Sequence, residues 1–220
     1  MRWIAAIAML GVLAACATGF DPRRDLKPTA DPGAVIATEI AFARGAREEG
    51  QWTAFREFAA EDAVMFVPEP VVARDWLRRQ TDPAQAVQWQ PHQVWSSCDG
   101  SLAVTRGAWQ RPDGSVGYFT TVWERQDNRE YRWVMDQGDV LAEPLPAPEL
   151  IEAKVADCRS EPFAPLTVRA ASTTINKGAA DDGTLEWSVA TRPDGSRTVV
   201  ARYWDGSEWQ FAVQEQVAAQ

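Results

Sequence analysis

Asp136 and His92 are the two residues of this 220-residue chain on which proton-transfer chemistry could rest. A carboxylate buried in a pocket gains a raised pKa and can act as a general base, and an imidazole titrating near neutrality can serve as its acid. Arg132 shares the strand parity of Asp136, so the spacing equally predicts an ion pair on a strand surface in which neither residue is catalytic. His92 is the one histidine and lies in a tryptophan-rich strand, where a structural or surface role is the simpler reading. No H-x-x-x-H or C-x-x-C pair supplies metal ligands, no glycine-rich loop cradles a phosphate, and no G-x-S-x-G turn presents a nucleophile. The sequence thus names neither a cofactor nor a catalytic set, and it leans towards a protein that is not an enzyme.

Binding is the alternative chemistry. The chain holds eleven tryptophans, and large flat rings give contact area at low entropic cost. Trp95, Trp109, Phe119 and Trp123 are the expected lining of an aromatic interior for a small apolar or sugar-like ligand. Core packing is the competing reading for each of them. The net charge of −9 argues against nucleic acid and against an electrostatic membrane patch.

The elements that would position these residues begin after an address. Arg2 precedes an apolar run from Ile4 to Leu13, too short to span a bilayer. Leu13-Ala14-Ala15-Cys16 follows, and this order resembles the lipobox of bacterial lipoprotein signal peptides. The resemblance implies cleavage after residue 15, lipidation of Cys16, palmitate among its acyl chains, and anchoring in the cell envelope. Ala17, rather than aspartate, then points to the outer membrane facing the periplasm. Residues 16–32, polar and proline-bearing, read as a tether. With Cys16 assigned to lipid, Cys98 and Cys158 remain. They either form a disulfide closing a loop of about 60 residues, which stabilises by roughly 4 kcal/mol on the chain-entropy model, or stay as reduced, buried thiols.

A helix is predicted from Asp31 and Pro32 to Gly50, with Val35, Ile36, Ile40, Phe42, Ala43 and Ala46 as its apolar stripe. A second is predicted over Trp52–Ala60, a short strand over Ala63–Val67, and a third helix over Val71–Gln80. From Ala84 the period changes to two. Turns at Asp99-Gly100, Pro112-Asp113-Gly114 and Asp127-Asn128 divide four antiparallel strands at about 84–97, 101–110, 115–126 and 130–139. Helices followed by a meander make an α+β layer.

Residues 33–139 resemble the nuclear-transport-factor-2-like (SnoaL-like) superfamily. The likeness is carried by A-F-A-R-G-A-R-E-E-G-Q-W-T-A-F at residues 41–55. It is carried also by the hairpin from Phe119-Thr120-Thr121-Val122-Trp123-Glu124-Arg125-Gln126 into Tyr131-Arg132-Trp133-Val134-Met135-Asp136-Gln137-Gly138. It implies a cystatin-like cone in which a curved, mostly antiparallel sheet wraps three helices around a pocket, over residues 33–143. It also implies isomerase, dehydratase or cyclase chemistry as an alternative to binding.

Residues 144–220 form a β-rich extension. One short helix is expected at 148–158, then a three-stranded meander turning at Pro193-Asp194-Gly195 and Asp205-Gly206. Asp182-Gly183-Thr184-Leu185 echoes Asp99-Gly100-Ser101-Leu102, and Arg-Pro-Asp-Gly-Ser occurs at both 111–115 and 192–196. A degenerate partial repeat and convergence on good turn chemistry both account for this. Three functions remain open: a lipid-anchored module binding a small molecule or an envelope protein, an enzyme in the same pocket, and a structural component that self-associates through a sheet edge.

Overall fold

The computed structural model describes residues 29–160, 162 and 174–219. Residues 1–28, with the signal-like run, Cys16 and most of the tether, lie outside them. No helix among the described residues is long and apolar enough to cross a membrane, and they contain no cluster of three or more His, Cys, Asp or Glu placed to hold a metal.

Asp31 starts helix α1 (Pro32–Glu48) by accepting the Ala34 N–H at 3.0 Å, with Pro32 inside the first turn. Gly50 turns the chain with φ of 121° into α2 (Gln51–Phe58). The N-terminus of α2 is capped from a distance, because the Asp82 carboxylate accepts the Thr53 N–H at 3.0 Å and its hydroxyl at 2.6 Å. Strand β1 (Ala59–Phe66) follows directly, then β2 (Pro70–Val72) and a single helical turn α3 (Ala73–Leu77). The third helix is therefore shorter than its apolar spacing predicts, since Val71 and Val72 pair with β1 instead.

The meander is β3 (Gln88–Ser96), β4 (Leu102–Gln110), β5 (Val116–Arg125) and β6 (Tyr131–Leu141). The expected helix at 148–158 is not formed. Residues Glu152–Val155 are instead a strand, β7, running parallel to β3, and backbone pairing with an open sheet edge decides its conformation. Cys98 and Cys158 are disulfide-bonded just beyond this pair. The seven-stranded sheet has the order β2-β1-β6-β5-β4-β3-β7, with β1 inserted parallel to β6.

The C-terminal sheet has four strands, not three: β8 (Thr174–Ala179), β9 (Leu185–Thr191), β10 (Arg197–Trp204) and β11 (Trp209–Val217), in the order β11-β10-β9-β8. Strand β8 lies at an edge with mostly exposed side chains, so its sequence carries little alternation. The helices cover one face of the large sheet, where Val35, Phe42, Trp123 and Trp133 form a core. The small sheet covers the other face. There Trp95, Val104, Val122 and Met135 pack against Leu185, Val189, Val199 and Val213.

Two register shifts fix which side chains face the helices. One lies between Pro91 and Gln93 in β3. The other lies at Val134 in β6, where Val122 pairs with Met135 and Trp123 with Trp133. Each inserts one residue, bends its strand and inverts the parity beyond it.

Candidate functional site

A cavity of about 160 Å³ opens between the helices and the concave side of the large sheet. Its walls carry Phe42, Trp52, Phe55, Trp89, Trp109 and Phe119, with Met65, Val67 and Val87 between them. Phe42 meets Phe55 and Trp89 edge-on, both at 4.8 Å between ring centroids, and Trp52 meets Phe55 at 5.4 Å. Such contacts add to area burial and fix ring orientation.

Asp136 is the carboxylate of this cavity. It stands on β6 opposite Thr121, whose hydroxyl donates to Asp136 Oδ2 at 2.7 Å, and beside Met65 of the parallel strand β1. The side chain is deep in the protein but keeps accessible surface where it borders the cavity. Burial raises its pKa to about 7, the Thr121 hydroxyl opposes the rise, and the charge of Glu39 adds to it. Near neutral pH Asp136 is thus divided between a form that donates a hydrogen bond and one that accepts. Arg111, at the mouth, is the other charged side chain of the lining.

Glu39 supports the site from behind. It is fully buried on α1; Oε1 accepts from Trp89 Nε1 at 2.8 Å, and Oε2 accepts from Thr105 Oγ1 at 2.6 Å and Trp123 Nε1 at 3.0 Å. Burial raises its pKa, and the three donors oppose the rise. It occupies the 35-39-42-46 face of α1, all of it buried. Its signal in the sequence is a carboxylate at a core position of an apolar helical stripe, and Glu39 is not among the residues expected to carry the chemistry.

The other predicted residues are dispersed. Trp109 and Phe119 line the cavity. Trp123 does not: it is fully buried and bonded to Glu39 and Thr105. Trp95 is on the opposite face, packed against the small sheet, because the shift in β3 sets Val94 towards the helices. His92 sits at that shift, buried and outside the cavity lining, with Nε2 3.4 Å from Gln90 Nε2. Burial, then the charge of Arg106, lowers its pKa, so it stays neutral at pH 7. The expected pairing of Asp136 as base with His92 as acid is therefore not assembled. Nor do Arg132 and Asp136 share a face. Val134 inverts the parity between them, and Arg132 pairs with Glu130 at 3.4 Å.

No protein-family model and no curated protein matches the sequence. Solved structures similar to part of it include a "putative ketosteroid isomerase" from Parabacteroides distasonis, 15% identical, covering 53% of this chain and 97% of that one with a TM-score of 0.41. The S. rosetta CaMKII hub is 14% identical over 52% of this chain and 99% of its own, with a TM-score of 0.39. An ntf2-like protein of unknown function from Mesorhizobium loti is 17% identical over 52% and 97%, with a TM-score of 0.33. The architecture is that of an α+β protein built on a large mixed sheet with few helices, and the similarity to these solved structures covers about half of the chain.

Proposed function

We propose that this protein is a small-molecule-binding module of the cell envelope, lipid-anchored through Cys16, whose cavity takes one apolar group of about single-ring size. The cavity carries this reading: about 160 Å³, aromatic on most sides, with one carboxylate at its inner wall. An apolar protein cavity of about 150 Å³ takes up benzene, whereas drug-sized ligands need roughly 300 Å³ or more. Asp136 supplies the orienting contact, accepting from a ligand hydroxyl or amine when ionised and donating to a carbonyl when protonated. Native mass spectrometry of residues 17–220 tests it. A retained small molecule, lost when Phe119→Trp fills the cavity, is the expected result; a mass equal to the bare chain, together with no uptake of phenol or benzyl alcohol, sinks it. The anchor is tested separately by palmitate labelling in a bacterial host, which Cys16→Ser should abolish.

The position of Asp136 near pH 7 favours a second reading as a proton-transfer enzyme. A carboxylate tuned to the working pH and placed in an aromatic-lined cavity is suited to remove a hydrogen next to a carbonyl. Deuterium uptake into cyclohexanone from D2O should then be accelerated by the protein and fall by on the order of 10²-fold or more in Asp136→Asn. Equal rates with and without protein exclude it for ring-sized ketones.

A further inference from the structure

The sequence Arg-Pro-Asp-Gly-Ser occurs twice, and its two arginines are used differently. Both turns share one backbone: Arg111 N–H donates to Ser115 O at 2.9 Å and Arg192 N–H to Ser196 O at 2.8 Å. Gly114 and Gly195 each close back on their arginine carbonyl at 3.0 Å. In the second turn the guanidinium folds over its own hairpin, donating to Ser196 Oγ and Thr198 Oγ1, both at 3.3 Å. The position matching Thr198, two residues past the serine, is Gly117 in the first turn. It offers no hydroxyl. It instead leaves room for the Trp109 ring, since a Cβ on Gly117 would lie 2.2 Å from that ring. Trp109 is fixed there by donating Nε1–H to Tyr118 O at 2.8 Å, and the Arg111 guanidinium stacks on it at 4.5 Å.

The cation is thus held at the cavity mouth by a ring of the cavity wall. Among the described residues it forms no hydrogen bond or ion pair through its side chain; Asp113 feels its charge, while that carboxylate's Oδ1 accepts from Ser115 N and Oγ. Stacking leaves the in-plane N–H donors of a guanidinium available for a planar anion.

We infer that the ligand is two-ended: an apolar ring or short chain that enters the cavity, and a carboxylate that stays at the mouth on Arg111. This rests on the pocket reading above and adds the substrate class, a ring-sized monocarboxylic acid. The orientation follows from the charges. An anionic end beside Asp136 meets like-charge repulsion whenever that carboxyl is ionised, whereas the guanidinium at the mouth attracts it at every working pH on a chain of net charge −9.

Phenylacetate and phenylacetamide test it, because they share a ring and a length and differ in charge. Binding is read from tryptophan emission, to which Trp89 and Trp109 contribute as cavity walls. The acid should bind about five-fold more tightly than the amide at low salt, as expected of a partly exposed charge pair. That preference should shrink towards one in Arg111→Gln and at high ionic strength, and persist in Arg192→Gln. Equal affinity of acid and amide for the wild type, or a preference that survives Arg111→Gln, overturns the inference and leaves the pocket standing. If neither probe binds, the pocket reading falls, and this inference with it.

Discussion

Two buried carboxylates, Glu39 and Asp136, are held above the ordinary range by burial, yet they are equipped for different tasks. Glu39 is surrounded by donors from Trp89, Thr105 and Trp123, so its oxygens are committed to protein. Among the described residues Asp136 has one protein donor, Thr121, and a cavity in front of it. Substitution should separate these roles. Glu39→Ala leaves two indole N–H groups and a hydroxyl facing an empty volume, and we expect a loss of about 3–5 kcal/mol in stability by chemical denaturation. Asp136→Asn should do the opposite at neutral pH. A carboxyl raised from 3.8 to about 7 binds its proton more tightly in the folded state. Its stabilisation is therefore complete below the ordinary value and is lost as pH rises through the folded one. That loss has an upper bound of about 4 kcal/mol between pH 4 and 7. Denaturation midpoints should fall across this window in the wild type and much less in Asp136→Asn, with a remaining slope from Glu39. An unchanged slope in the variant would show that Asp136 is not the buried acid described here.

At the scale of elements, the site depends on two inserted residues and one bare position. Val134 and the shift near His92 decide which of Asp136, Arg132, Trp95 and His92 reach the cavity. Period-two patterning locates β3–β6 to within a few residues, because each has a core to face; the choice of Asp136, Trp109 and Phe119 rests instead on the resemblance to a fold with a pocket and on aromatic residue type. Pro91 cannot donate to a ladder and so marks an edge or a bulge in its strand, and the shift in β3 follows it directly; the shift at Val134 leaves no compositional mark, so strand parity alone groups Arg132 with Asp136. Strands β7 and β8 escaped for a related reason. Both are sheet edges with mostly exposed side chains, held by backbone pairing rather than by apolar alternation. The bare position is Gly117. A methyl group there would meet Asp139 O of the neighbouring strand at 2.1 Å as well as the Trp109 ring, so strand spacing and cavity wall would both have to move. We expect Gly117→Ala to cost about 1–3 kcal/mol and to weaken binding of either phenyl probe, measured by thermal melting and by emission titration. Wild-type stability and affinity in that variant would mean that the wall is not seated on the bare strand.

The two sheets meet through a pair of turns in reciprocal contact. Asp99 N–H donates to Asp182 Oδ2 at 2.8 Å, and Asp182 N–H donates to Asp99 Oδ2 at 3.2 Å. Cys98 N–H donates to Thr184 Oγ1 and Asp181 N–H to Ser101 Oγ, both at 2.9 Å. Each residue of one turn contacts its partner's counterpart in the other, which is the pattern of an isologous interface. Gln137 of β6 likewise donates to Glu215 Oε2 of β11 at 2.7 Å, and both strands carry a register shift one residue before Met135 and Val213. Convergence on favourable turn chemistry would repeat the turns without setting them in reciprocal contact, and on that ground we propose that the second sheet is a degenerate partial repeat of the first. It also makes the two aspartates one device. Each carboxylate organises its own turn through Oδ1, Asp99 from Ser101 and Asp182 from Thr184, and receives the opposite backbone through Oδ2. If the turns hold each other, breaking either exchange should release both. In a double-mutant cycle, Asp99→Ala and Asp182→Ala should each cost about 1–3 kcal/mol, and the double variant should cost less than their sum by about 1 kcal/mol or more. Strict additivity in urea denaturation would mean that the two turns merely touch, and that the apolar layer between the sheets holds them together without help from this exchange.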